Sequence, residues 1–388
     1  MLNIKDVGEE LEQKIEAVRG YVRERSESSR EYQQALEKLT IEPFGANNGL
    51  PRYSGARILE GGFIKPFVQQ WKNHADAQNW MDRTLSNTTV GAVDGSQIYP
   101  DKTYNLPVAV IQTGSIYNKH TNAKSFKQRT NALIITPEEF EAAHVYTYSD
   151  EFVDARRFKA ECEQMQELLH AHDQIFVLLD GSLILSHINA LNKNIKDIYL
   201  EAIKKLLQTS TNTGNTLTAY TDNSHPHDLT HMLQKLYNLK KTKLQDTYLI
   251  QPYMPNWGDR TSAFLCDRDD RRATSESAQT KSILDRYGQF KDQIAFFYIN
   301  LSNRVGRVEY PLWAHEHGLT ETIANILRAE SIIRGGYPDM LIQAHKAALI
   351  RNSEHSIFYT ILENFCHTNH ILLPKSTKQL HKKITVFV

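Results

Sequence analysis

The chain has 388 residues, 40% of them apolar, and its 45 lysines plus arginines balance 45 aspartates plus glutamates. That length can bury a large core in one elaborated domain or in two, and zero net charge removes any global field that would draw nucleic acid or a membrane surface, so a DNA contact has to be local. Cys162, Cys266 and Cys366 lack metal-ligand spacing, the first residues hold no hydrophobic signal core, and no apolar run reaches the roughly 20 residues of a membrane helix; a cytoplasmic protein without a membrane partner is expected.

From about Ile4 to Leu39 the sequence is charged and glycine-poor, with Val7, Leu11, Ile15 and Val18 recurring at helical spacing, which predicts one long amphipathic helix. It reads as an oligomerisation arm or, slightly preferred, as a helix packed on its own domain. A loop around Gly45 to Gly62 and a mixed segment complete an N-terminal helical region over 1–86. Strands are expected at 88–94, about 104–113 and 131–136, a helix at about 151–172, a strand at 174–179, a helix near 194–209 and a strand at 216–221. Three strands, helix, strand, helix, strand predicts an α/β fold with a ribonuclease-H-like mixed sheet flanked by helices, in which the first and fourth strands can lie side by side. The polar segment 223–290 reads as an irregular inserted lobe within a domain over 87–353. Strands at about 294–300 and 304–310 and helices near 319–333 and 338–352 follow. The extension 354–388 ends in Ile384-Thr385-Val386-Phe387-Val388, a candidate edge strand.

Two near-identical pentapeptides, Ala92-Val93-Asp94-Gly95-Ser96 and Leu178-Leu179-Asp180-Gly181-Ser182, each set an aspartate where an apolar strand runs into a glycine turn. One copy alone reads as a turn in which aspartate caps its own backbone. Two copies after buried strands favour a site for a hard divalent cation such as magnesium or manganese. Further ligands are then required. On the 151–172 helix Glu161 lies beside the apolar stripe of Phe158, Cys162, Met165 and Leu169, whereas Glu163 and Glu167 point away; Asp154 is the reserve candidate. The helix after Tyr337-Pro338 carries His345 on its apolar side, where it is either a satisfied core histidine or a ligand and water-orienting group. Basic clusters at Lys119, Lys124, Lys127 and Arg129, at Arg156, Arg157 and Lys159, and at Lys240, Lys241 and Lys243 are solvated faces unless they lie near the carboxylates.

Taken in order, Ala92-Val93-Asp94-Gly95-Ser96, a helix with Arg156 or Arg157 before Glu161, Leu179-Asp180-Gly181-Ser182, Arg307-Val308-Glu309-Tyr310-Pro311, and Tyr337-Pro338 with Leu341, Ala344, His345 and Ala348 resemble the NurA nucleases over about residues 88 to 350. The resemblance implies a manganese-dependent nuclease, with magnesium as the alternative, that resects DNA from 5′ ends, cuts single strands, forms a homodimer and works with the HerA hexameric ATPase. By position, Asp94, Glu161, Asp180 and His345 resemble the family's metal and catalytic groups, and Tyr337 a tyrosine near that histidine. Arg156 and Arg157 are the expected holders of flanking phosphates, and Arg307 with Glu309 is assigned a structural ion pair. A non-catalytic DNA-binding subunit of a translocase is the alternative; phosphotransfer on an actin-like fold is a third reading. A restriction-type core is disfavoured because no Glu-x-Lys follows the second aspartate.

Overall fold

The computed structural model describes residues 2–41, 49–121, 126–222, 225–271, 273–275, 278–279, 281–302 and 304–373. In chain order its helices and strands are α1 (Ile4–Gln13), α2 (Ile15–Ile41), β1 (Gly55–Ile58), β2 (Ile64–Lys65), α3 (His74–Leu85), β3 (Thr89–Ile98), β4 (Ala109–Asn118), β5 (Phe126–Ile135), α4 (Pro137–Ala142), α5 (Asp150–Ala171), β6 (Ile175–Asp180), α6 (Lys193–Thr213) and β7 (Thr216–Thr221). They continue with α7 (Asp228–Tyr237), α8 (Asp246–Ile250), β8 (Arg260–Thr261), β9 (Phe264–Asp267), β10 (Ala273–Ser275), β11 (Ala278–Gln279), β12 (Ile294–Ser302), β13 (Arg304–Pro311), α9 (Leu312–Glu316), α10 (Thr320–Ile332), α11 (Asp339–Ala348) and α12 (Asn352–Thr368). The class is mixed α/β, with mostly antiparallel strand pairing and flanking helices. The chain divides into two units: Met1–Gln70 with Thr221–Leu284 and Asp292–Val308, and Trp71–Tyr220 with Asp285–Lys291 and Glu309–Val388. The division falls inside β13, so Arg307 belongs to the first unit and Glu309 to the second.

In the second unit the strand order is β7-β6-β3-β4-β5. β3, β6 and β7 run parallel, while β3, β4 and β5 are antiparallel. The expected neighbours, the strands carrying the two Asp-Gly-Ser runs, do pair, with Val93 opposite Leu179. Both are aliphatic and buried because helices cover the parallel part, as such strands require. α5 is capped by Ser149, whose side chain accepts from the Phe152 N–H, and α6 ends at Gly214 with φ 66°.

Several boundaries differ from expectation. β3 does not stop at Asp94; its pairing to β4 continues through Ile98, while its pairing to β6 ends at Val93. β4 begins at Ala109 rather than near 104, because Pro107 has no N–H to offer a ladder. β5 starts at Phe126, using charged and polar residues that are tolerable on an exposed strand at the end of the sheet order. α12 follows α11 and was not anticipated. Lys124 and residues 384–388 lie outside the described residues.

In the first unit, the segment expected as an irregular lobe carries α7, α8, β8 and β9. β9 pairs antiparallel with β1 and β12. A buried charge network ties this unit together. Arg268 donates twice to Asp228, and Arg307 Nη1 lies 2.9 Å from the same carboxylate. Burial alone would raise Asp228, but the two guanidiniums bring it down to about 2. Arg307 also lies 3.7 Å from the centre of the Phe296 ring. Arg307, expected to pair with Glu309, serves the Asp228 carboxylate within the first unit. The long N-terminal helix is broken at Lys14 into α1 and α2, and α1 buries no residue. Among the described side chains of the two helices the first buried one is Ser29, and the Tyr32 hydroxyl donates to the Lys240 carbonyl at 2.7 Å. The slightly preferred expectation, a helix packed on its own domain, fits the buried residues Ser29, Tyr32, Ala35, Leu36 and Leu39 and not α1.

Candidate functional site

The parallel register of β3 and β6 sets Asp94 and Asp180 side by side, each one residue beyond the Val93–Leu179 pair. Strands rigidified by ladders and burial hold such residues still. Gly181, at φ 133°, adopts a backbone that favours glycine and turns the chain away immediately after Asp180.

Alternation along β3 points Asp94 and its successor to opposite faces. On one face, His345 Nδ1 of α11 lies 2.9 Å from Asp94 Oδ2. On the other, α5 crosses so closely that a Cβ added at Gly95 would stand 2.4 Å from Glu161 Oε1 and 2.9 Å from Arg157 Cγ. The glycine is thus what lets the Glu161 carboxylate reach the strand. The backbone N–H of Gly95 donates to Asp94 Oδ1 at 2.7 Å.

Glu161 is 6% exposed, and Arg157 Nη1 donates to its Oε1 at 2.5 Å and to the Gly95 carbonyl at 3.4 Å. Burial raises its pKa most, Arg157 opposes, and the charges of Asp94 and Asp180 push it further, to about 7. Asp180 is exposed at the end of β6 and accepts from the Tyr337 hydroxyl at 2.8 Å. Tyr337 is supported edge-on by Tyr220 at 5.4 Å. His345, expected on an apolar face, has a side chain that is 61% exposed, because α11 turns Leu341, Ala344 and Ala348 inward and the imidazole outward.

The structure therefore brings Asp94, Glu161, Asp180, His345, Arg157 and Tyr337 into one neighbourhood. Arg156 is directed instead to Glu139 of α4, at 2.7 Å. Asp154, the reserve candidate, accepts from Tyr99 and Gln97. Sequence reasoning missed the role of Glu309: its Oε2 accepts from the Ser182 hydroxyl and the Leu183 N–H, both at 2.7 Å, and so fixes the loop that follows Asp180. The readable signal was an acid inside the otherwise apolar run Val308 to Tyr310, buried to 2% exposure.

The donor set suits a divalent cation: three carboxylates and one imidazole stand with a single guanidinium, that of Arg157. Among the described residues, no three His, Cys, Asp or Glu side chains stand at the spacing that holds one ion. Each acid is turned to a protein partner, Asp94 to His345, Asp180 to Tyr337 and Glu161 to Arg157.

A family model described as the NurA domain matches residues 88–350. The search of curated proteins found no match. Among solved structures, the catalytic domain of human endonuclease V is 11% identical with a TM-score of 0.31, covering 76% of this chain and 89% of that one. Endonuclease V from Bacillus subtilis is 12% identical with a TM-score of 0.31, covering 78% and 96%. Drosophila Piwi is 13% identical with a TM-score of 0.26, covering 68% and 29%. Likenesses this weak carry no argument about the chain.

Proposed function

Because the chain belongs to the NurA family, a family of nucleases, we propose that it is a divalent-metal-dependent DNA nuclease with a ribonuclease-H-like core. The reading extends to 5′-to-3′ exonuclease and single-strand endonuclease activity, with manganese as the working ion and magnesium as its alternative. It also includes a cytoplasmic homodimer acting with a HerA-type hexameric ATPase in DNA end resection or defence. The functional division is an N-terminal helical region over 1–86, the nuclease domain over 87–353 with its lobe at 223–290, and the extension beyond. What supports the core assignment is the β5-β4-β3-β6-β7 order with its acids on the central parallel pair.

The observation that carries the reading is the meeting of Asp94 and Asp180, side by side on the parallel pair β3 and β6, with the buried Glu161 that reaches the strand at Gly95. Asp94, Glu161, Asp180 and His345 would hold two ions, after side-chain rotations that release the present partners. When bound, such ions supply charge neutralisation at the scissile phosphate and lower the pKa of water. The chain's own contribution is positional. Tyr337 and Glu309 orient the Asp180 strand end, His345 orients Asp94, Arg157 keeps Glu161 directed at the β3 edge and supplies cationic charge for flanking phosphates, and Arg156 would join it on releasing Glu139. Water adds to phosphorus, the P–O3′ bond breaks, and the leaving oxygen takes a proton.

Titrating manganese into chelator-stripped protein with end-labelled duplex and single-stranded DNA tests this. Expected is no product with chelator and restored cleavage with metal. DNA binding without product at any manganese concentration would favour the non-catalytic subunit.

Glu309→Gln replaces one acceptor of two hydrogen bonds by an amide that can turn a donor toward the same N–H and hydroxyl. Cleavage should fall by roughly 10- to 100-fold, and the manganese concentration for half-activity should rise, while DNA affinity holds. Unchanged metal dependence would leave Glu309 only a structural part.

A further inference from the structure

The helical arm that precedes the family match carries an unpartnered apolar stripe. Val7, Leu11, Ile15, Val18 and Val22 are 40%, 63%, 43%, 55% and 59% exposed, at spacings of four, four, three and four. That is close to the 3.6-residue turn, so the stripe keeps to one side of the helix and can form a seam with a second one. The polar flanks are asymmetric. Residues 4–16 hold five acids and two lysines, whereas residues 17–25 hold three arginines and one glutamate.

We propose that this arm pairs antiparallel with the same arm of a second copy. One register satisfies both the apolar and the charged positions: Val7 meets Val22, Leu11 meets Val18, Asp6 faces Arg23 and Glu10 faces Arg19, with the two-fold axis at the Lys14–Ile15 break between α1 and α2. Parallel pairing would instead set the acidic halves against each other and the basic halves likewise. The antiparallel arrangement is self-complementary and closes at two copies. It names a surface for the homodimer proposed above and rests on that reading for stoichiometry alone; the nuclease site is not involved.

Light scattering of the full chain and of Leu11→Glu/Val18→Glu, with circular dichroism to confirm that both are folded, provides the first arm of the test. The substitutions sit on exposed positions and should raise the dimer dissociation constant by at least about 100-fold, equivalent to two factors of ten in the equilibrium. The second arm is disulfide cross-linking under mild oxidation, against a background in which Cys162, Cys266 and Cys366 are buried. Val7→Cys/Val22→Cys should give covalent dimers, whereas each single variant should not, because like positions would lie roughly 22 Å apart along the axis at 1.5 Å per residue. Cross-linking by Val7→Cys alone would establish parallel pairing and overturn the proposal. A dimer that survives Leu11→Glu/Val18→Glu would overturn it while leaving a homodimer through another face, and a wild-type monomer at micromolar concentration would overturn both. Cleavage assays on the same samples report on the nuclease reading separately.

Discussion

Asp94→Asn is expected to reduce DNA cleavage by a factor on the order of 10³ or more, equivalent to about 4 kcal/mol of transition-state stabilisation, without loss of fold. Asparagine keeps the shape of the side chain and can still accept the Gly95 N–H that now donates to Oδ1 at 2.7 Å. What it removes is the charge. That charge lies beside Asp180 and acts through space on Glu161 across the strand, so its loss weakens cation binding at the point where β3 and β6 diverge. A second readout follows from the same electrostatics: with Asp94 neutral, one of the two repulsions that raise Glu161 is gone, and the pKa of that buried acid should drop. Single-turnover cleavage of labelled DNA, circular dichroism and a DNA-binding assay together test it. A variant that still cuts at the wild-type rate would remove Asp94 from the chemistry.

The strands that carry Asp94 and Asp180 were legible in sequence because each combines a run of buried aliphatics with a glycine punctuation mark. Their adjacency followed from the order of elements. Helical periodicity set Glu161 beside an apolar stripe, a position it shared with Asp154, and the structure buries it on α5 itself. The reach of that carboxylate to Gly95 was not legible, because close backbone approach leaves no one-dimensional trace beyond the glycine itself. Arg307 and Glu309 illustrate the opposite difficulty. They are two residues apart in one strand and invite an ion-pair reading, and each also serves a segment that the strand itself does not announce, Arg307 the Asp228 carboxylate and Glu309 the Ser182 loop. Alternation puts two such side chains on one face of a strand, but which partners stand there is decided by segments far away in sequence. His345 shows that spacing among apolar residues does not fix exposure, since a ten-residue helix can bury Leu341 and Ala348 and still expose a residue at the edge of that stripe. At the N-terminus the periodicity showed the apolar stripe but left two destinations open, since such a stripe states that something must be covered and is silent about what covers it.

Glu161→Gln should separate stability from activity. In the folded protein this carboxyl has its pKa moved from the ordinary 4.5 to about 7, chiefly by burial and then by Asp94 and Asp180 against the opposing pull of Arg157. Between those two values the native state binds more protons than the unfolded chain, so stability falls as pH rises. The contribution is fully present below about 4.5 and lost by the time pH passes 7. A shift of that size corresponds to roughly 3 kcal/mol at 1.36 kcal/mol per unit. Glutamine mimics the protonated acid at every pH, and its amide oxygen can still accept from Arg157. Denaturation at pH 5 should therefore find variant and wild type nearly equal, and at pH 8 should find the variant more stable by up to that amount. Cleavage by the variant should be lost, because the neutral amide contributes no charge toward a cation. Manganese provides the discriminating control: at 100 times its dissociation constant a bound ligand stabilises by about 2.7 kcal/mol, so wild type at pH 8 should gain on addition of metal and Glu161→Gln should not. Equal pH profiles for the two proteins would mean that the acid is not held in tension with Asp94 and Asp180. A stable, inactive variant whose wild-type parent is rescued by metal is what a site of crowded carboxylates, kept at a cost in folding energy for the sake of binding cations, has to produce.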